Sequence, residues 1–100
     1  MGQKDFAFIF EGNSRAEVPI MGMADGKIIS GQIDRLVVLE DKVIIVDFKT
    51  NRPAARTRDE VLSDYVKQLE MYEKLVRQIY PSFKVEKYIL WTNTLKLMKI

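Results

Sequence analysis

Apolar residues recur along this chain with two different periods, and the switch between them divides it into parts. Residues 16–21 (AEVPIM) and 27–39 (KIISGQIDRLVVL) are rich in β-branched side chains and are separated by the turn sequence Ala24-Asp25-Gly26-Lys27. This pattern predicts a hairpin. Glu40-Asp41 then lies between LVVL and KVIIVDFK, and a second hairpin with a two-residue loop is the simplest reading. Beyond it the period lengthens: Leu62, Tyr65, Leu69, Tyr72, Val76 and Ile79 fall every three or four residues. The spacing predicts a helix of about 20 residues, opened by a Thr57-x-x-Glu60 capping box and stopped by Pro81. Residues 85–91 and 95–100 return to strand character on either side of Thr92-Asn93-Thr94. Strands, one main helix and strands again describe an α/β or α+β chain built on a single sheet. Near the N-terminus Phe6, Phe8 and Phe10 alternate as in a strand.

Composition narrows the chemistry more than it changes this picture. The 100 residues, 47% of them apolar, with 16 basic against 14 acidic side chains, suit one core and hence one domain over residues 1–100. No apolar run approaches the roughly 18 residues needed to cross a bilayer, and the first residues lack the pattern of a secretory signal, so no membrane partner is expected. The sequence holds no Cys and no His. Disulfides, zinc ribbons, iron–sulfur clusters, thiol nucleophiles and histidine triads are thereby excluded, which leaves carboxylates, Lys, Ser, Thr and Tyr to carry any reaction. A net charge of +2 does not by itself point to nucleic acid, but residues 49–58 (KTNRPAARTR) carry Lys49, Arg52, Arg56 and Arg58 and no acid. That stretch reads as a basic loop, either simply solvated or placed to meet phosphates.

The second hairpin sharpens the reading. With Glu40-Asp41 at its tip, Val38 faces Val43, Leu36 faces Ile45, and Asp34 falls opposite Asp47; a loop over 39–42 gives the same pairs. Because strand side chains alternate with a period of two, Asp34, Asp47 and Lys49 then share one face. Opposed like charges destabilise a sheet, more so when apolar neighbours keep water away. A hard divalent cation with oxygen ligands would remove the repulsion, and Lys49 could orient a water or stabilise developing negative charge. The alternative is an ordinary surface ion pair of Asp34 with Arg35 or Lys49. On the helix, Gln68 falls within the apolar arc, where an amide needs a partner, whether a core backbone group or a site. Tyr72 and Trp91 have the placement of core aromatics.

Gly31-Gln32-Ile33-Asp34-Arg35, Asp47-Phe48-Lys49-Thr50 and Gln68-Leu69-Glu70-Met71-Tyr72 resemble, in order, the G-x-x-D-R, D-x-K-T and Q-x-x-x-Y blocks of the RecB-like PD-(D/E)XK nucleases. Residues 16–98 are more specifically similar to the C-terminal nuclease domain of the AddA-type helicase–nucleases of bacterial double-strand-break repair. The resemblance implies a restriction-endonuclease-like mixed β-sheet and a DNA phosphodiesterase that uses Mg²⁺ or Mn²⁺. Asp34, Asp47 and the Phe48 carbonyl would bind the metal and Lys49 would assist the attacking water. Thr50, Arg52, Gln68 and Tyr72 would lie along the DNA, and Glu17 stands where the family often has a glutamate beside the active strand. An AddB-like subunit as partner and a bacterial cytoplasmic location follow by the same route. The family's metal-binding His and the helices before the first strand have no counterpart here. The expectation is therefore a piece of a nuclease domain, with its N-terminal helices missing, weakly active or inactive in isolation and prone to self-association.

Overall fold

A computed structural model of the chain describes residues 13–50, 61, 63–92 and 94–100. Five strands form one sheet in the order of the sequence: β1 (Asn13–Ala24), β2 (Lys27–Val38), β3 (Lys42–Lys49), β4 (Lys84–Trp91) and β5 (Lys96–Lys99). Between β3 and β4 the described residues include one helix, α1 (Ser63–Ile79). This crossover makes β3 and β4 parallel, whereas the other three neighbouring pairs are antiparallel. The result is the mixed sheet with one main helix that the family resemblance implies. The capping box at Thr57 to Glu60, the basic residues Arg52, Arg56 and Arg58, and Phe6, Phe8 and Phe10 lie outside the described residues.

Local chemistry explains the elements. Asp25 and Gly26 at the β1–β2 turn both have positive φ, 54° and 76°, the conformation of a two-residue turn whose twist matches its strands. At the β2–β3 loop the Leu39 N–H donates to the Lys42 carbonyl at 2.8 Å. Leu69, Tyr72, Leu75 and Val76 form the buried stripe of α1 and pack with Ile20, Ile33, Leu36, Val43, Ile45, Ile89 and Trp91 in the main core. Val37, Ile44, Val46 and Leu90 form a second cluster, on the sheet face opposite the helix as alternation with Val43 and Ile45 requires. The helix is tied to the first hairpin by Lys74 to Asp25, 2.9 Å, and by Gln78 Nε2 donating to the Met23 carbonyl. No helix among the described residues is long and apolar enough to cross a membrane.

Alternation fails at one place. Ile33 and Leu36, three positions apart in β2, both enter the main core, although strict period two would put them on opposite faces. In β1, Arg15 and Val18 likewise line the same shallow cavity as Leu36 and Val38. The ladder accounts for it: Ala16 pairs with Arg35 and Val18 with Ile33, and the intervening Glu17 and Asp34 form no pair. Glu17 has φ 54°, left-handed backbone in mid-strand. The facing of both strands slips there, beside the candidate site.

Candidate metal and phosphodiester site

The site lies where β2 and β3 separate. Their ladder runs from Val38–Val43 to Arg35–Val46 and stops one residue before the Asp34–Asp47 pair that the hairpin register extrapolates. The Phe48 N–H donates instead to Asp34 Oδ2 at 2.8 Å. A side chain has replaced a strand as partner. The Lys49 carbonyl accepts the Thr92 N–H at 2.9 Å on the β4 side. Since peptide groups alternate in direction along a strand, the Phe48 carbonyl points to the β2 side, where Asp34 sits.

The two carboxylates do meet. Asp47 is 4% exposed, the one charged side chain so deeply buried among the described residues. Its pKa is raised to about 6, first by burial and then by the Asp34 carboxyl within hydrogen-bonding reach, with Lys49 pulling the other way. Lys49 Nζ lies 2.9 Å from Asp47 Oδ2, an ion pair at the buried carboxylate. An acid pair sharing a desolvated corner, offset by a single lysine, is a chemistry that a hard cation relieves. The donor set fits Mg²⁺ or Mn²⁺: two carboxylates and a backbone carbonyl, with the remaining positions left to water and substrate oxygens. No group of three His, Cys, Asp or Glu side chains gathers among the described residues, so a third acidic or imidazole ligand is not found there.

Lys49 is held from three sides. Besides Asp47, its ammonium donates to Gln68 Oε1 at 3.3 Å and sits 4.3 Å from the centre of the Tyr65 ring, a cation–π distance. Gln68 Nε2 in turn donates to the Tyr72 hydroxyl at 3.3 Å, which donates to the Gln32 carbonyl at 3.1 Å. A line of polar contacts thus runs from Asp47 through Lys49, Gln68 and Tyr72 back to β2, two residues from Asp34.

Gln68 and Tyr72 take different places on the helix. Gln68 is exposed rather than enclosed in the apolar arc: it sits at the edge of the stripe, and its partners are Lys49 and Tyr72 rather than core backbone. Tyr72 is 7% exposed and belongs to the core, the placement its position in the helix pattern predicts, and its hydroxyl braces Gln68. A Cβ at Gly31 would come 2.9 Å from Tyr72 Cε1, which gives the glycine of the first motif its reason. Thr50 is exposed and its hydroxyl meets that of Thr92. Trp91 is a core residue, 1% exposed, stacked obliquely 6.5 Å from Tyr65. The residues missed by sequence reasoning are Tyr65 and Thr92. Tyr65 occupies an ordinary core position of the helix pattern, and only the three-dimensional return of β3 beneath it exposes its second contact.

Comparison with known proteins gives the family and the fold. The profile of the PD-(D/E)XK nuclease superfamily matches residues 4–93. An ATP-dependent helicase/nuclease subunit from Carboxydothermus hydrogenoformans is 33% identical over 79 residues, which are 79% of this chain and 7% of that protein. The protein of the same description from Streptococcus thermophilus is 29% identical over 85 residues, again 79% of this chain and 7% of the relative. The chain therefore spans a small part of the length of these relatives. The crystal structure of SSO0001 superposes with a TM-score of 0.58 over 97% of this chain and 46% of that one, at 20% identity, a likeness of fold.

Proposed function

Given that the chain belongs to the PD-(D/E)XK nuclease superfamily, we propose that it is the core of a metal-dependent DNA nuclease acting in double-strand-break repair, as part of a helicase–nuclease. The observation that carries this reading is the Asp34–Asp47 carboxyl pair in a desolvated corner with Lys49 Nζ 2.9 Å away. Asp34, Asp47 and the Phe48 carbonyl would hold Mg²⁺ or Mn²⁺. Bound there, the ion would supply Lewis-acid stabilisation of the phosphoryl oxygens and a more acidic water. Lys49 places its ammonium at the mouth of the acid pair, where it can orient that water or offset the negative charge that grows on the phosphorus oxygens. Gln68 and Tyr65 restrict the amine to that position, and Tyr72 fixes Gln68. Thr50, Arg52 and Gln68 are the candidates for the DNA path, with Tyr72 beneath it.

A second reading is favoured by the absence of any His from the sequence and of a third acidic ligand among the described residues. In it the 100-residue chain binds metal and DNA but turns over slowly or not at all without a ligand supplied from elsewhere, such as an adjoining helix or an AddB-like partner. Digestion of linear DNA in Mn²⁺ separates the two. Cleavage that disappears in Lys49→Ala supports the first, and salt-sensitive binding without cleavage supports the second. Neither cleavage nor any effect of Mn²⁺ on the melting temperature would count against both.

A further inference from the structure

The kink at Glu17 is unexplained by the fold alone. Left-handed backbone is uncommon for a residue with a Cβ, and in the middle of a 12-residue strand it is retained only when its surroundings over-determine it. The register puts Glu17 opposite Asp34, the one position skipped between the Ala16–Arg35 and Val18–Ile33 pairs. Across this position the facing of both strands slips, bringing Ile33 and Leu36 into the same core. The slip has a geometric consequence for Asp34. In a regular strand its side chain would stand perpendicular to the sheet, out of line with the N–H groups of β3, which lie in the plane of the sheet. Here its carboxylate takes the Phe48 N–H at 2.8 Å, the place of a ladder carbonyl. The Glu17 side chain itself is exposed, turned to solvent rather than into the acid pair.

We propose that Glu17 is a positioning residue whose left-handed backbone turns Asp34 out of strand alternation and aims its carboxylate into the plane of the sheet, at Phe48 and Asp47. The backbone conformation at position 17 does this, not the Glu17 carboxylate. This deepens the nuclease reading and rests on it only for the metal-binding part.

The test compares variants by what they allow at φ near 54°. Glu17→Gly and Glu17→Asn tolerate that conformation, whereas Glu17→Val does not. Two signals are read on the 100-residue chain: hydrogen exchange of the Phe48 amide, which reports the Asp34 bond without any metal, and Mn²⁺ affinity from paramagnetic broadening. In the Gly and Asn variants, Phe48 protection and Mn²⁺ affinity are expected to stay within about threefold of the parent, below the tenfold that one lost charge-assisted bond amounts to. In Glu17→Val both are expected to fall at least about tenfold, while amides at the other end of the pair, such as Ile44, keep their protection. Loss of Mn²⁺ binding in Glu17→Gly with Phe48 still protected would make the carboxylate a ligand and overturn the proposal, even if the Val variant fails to fold. Unchanged Phe48 protection in a folded Glu17→Val would overturn it as well. Absence of Mn²⁺ binding by the parent chain refutes the metal reading, and the Phe48 exchange still decides the role of Glu17.

Discussion

The β2–β3 pair behaves differently at its two ends. At the loop end, Val38–Val43 and Val37–Ile44 pair in register, and Val37, Val43 and Ile44 are at most 1% exposed. Every backbone group there is spent on the ladder, and the surroundings are apolar on both faces. At the other end the ladder stops after Arg35–Val46, a carboxylate supplies the bond that a strand would have supplied, and a buried acid stands beside a lysine. A complete ladder is stable and chemically mute. Ending it at Arg35–Val46 leaves Asp34 to take the Phe48 N–H and Asp47 to pair with Lys49, and the closed end holds that opening in place.

The contrast is broken most severely at the open end. Lys49→Ala is expected to reduce any Mn²⁺-dependent cleavage of linear DNA on the order of a hundred- to ten-thousandfold, the usual span for losing a positioned proton-transfer or charge-stabilising group. Asp47→Asn should in addition abolish the rise in melting temperature that millimolar Mn²⁺ gives the parent. Both variants should remain folded, because the residues that close the pair are untouched. A Lys49→Ala protein that cleaves as the parent does removes Lys49 from the reaction.

The closed end should show the converse. Ile44→Ala empties a fully enclosed position and is expected to cost about 2–5 kcal/mol in stability by chemical denaturation. Mn²⁺ affinity of the folded protein should stay unchanged, since Ile44 points to the face opposite the helix. If this substitution weakened metal binding as much as it weakens folding, the two ends would be one unit and the contrast would be lost.

This difference also decides what could be read from the sequence. The closed end is a matter of alternation and turn chemistry, so LVVL-Glu40-Asp41-KVIIV specifies its register, and the three-to-four spacing from Tyr65 to Ile79 specifies the helix. The nearness of Asp34 and Asp47 followed from extrapolating that register. Its means did not: the extrapolation expects a continuing ladder, and the chain supplies a kink. The spacing of Ile33 and Leu36, three apart in a strand, was the available sign that alternation slips. Nothing about a glutamate marks left-handed backbone, since glycine and asparagine are the residues that ordinarily adopt it. For Gln68 a helical wheel gives only an angle and leaves both partners open; its exposure beside Lys49 depends on where the sheet beneath ends.

The pH dependence sharpens the comparison without a mutation. Asp47 titrates near 6 in the folded chain against an ordinary 3.8, so the folded state holds this proton more tightly than the unfolded one does. With respect to this group, stability is greatest below about pH 4, falls as pH rises toward 6, and is level above it. At 1.36 kcal/mol per pKa unit the decline is on the order of 3 kcal/mol. Denaturation between pH 4 and 7.5 without metal should show the decline in the parent and in Ile44→Ala, and lose it in Asp47→Asn. Saturating Mg²⁺ should flatten it, because binding favours the ionised pair and so grows stronger as pH rises through 6. A slope that survives in Asp47→Asn belongs to other groups.

The smallest expected effect lies beneath the open end, where Gly31 meets Tyr72. A methyl group at position 31 would sit 2.9 Å from Tyr72 Cε1 and 3.1 Å from its hydroxyl oxygen, closer than carbon atoms approach without displacement. The ring is buried among Leu69, Leu75 and Val76 and has little room to retreat. Gly31→Ala is therefore expected to cost about 1–3 kcal/mol, as overpacking does. Since Gly31 has no positive φ, the cost comes from the contact and not from backbone strain. A double-mutant cycle distinguishes the two. Tyr72→Leu removes the atoms that the new methyl group strikes, so Gly31→Ala should cost less in that background than in the parent, with a coupling of roughly 1 kcal/mol. Equal costs in both backgrounds would mean that the glycine is required for some other reason. Displacing Tyr72 should also loosen Gln68 and through it Lys49, so a cleaving protein would lose activity in Gly31→Ala and keep its Mn²⁺ affinity, because neither carboxylate has moved.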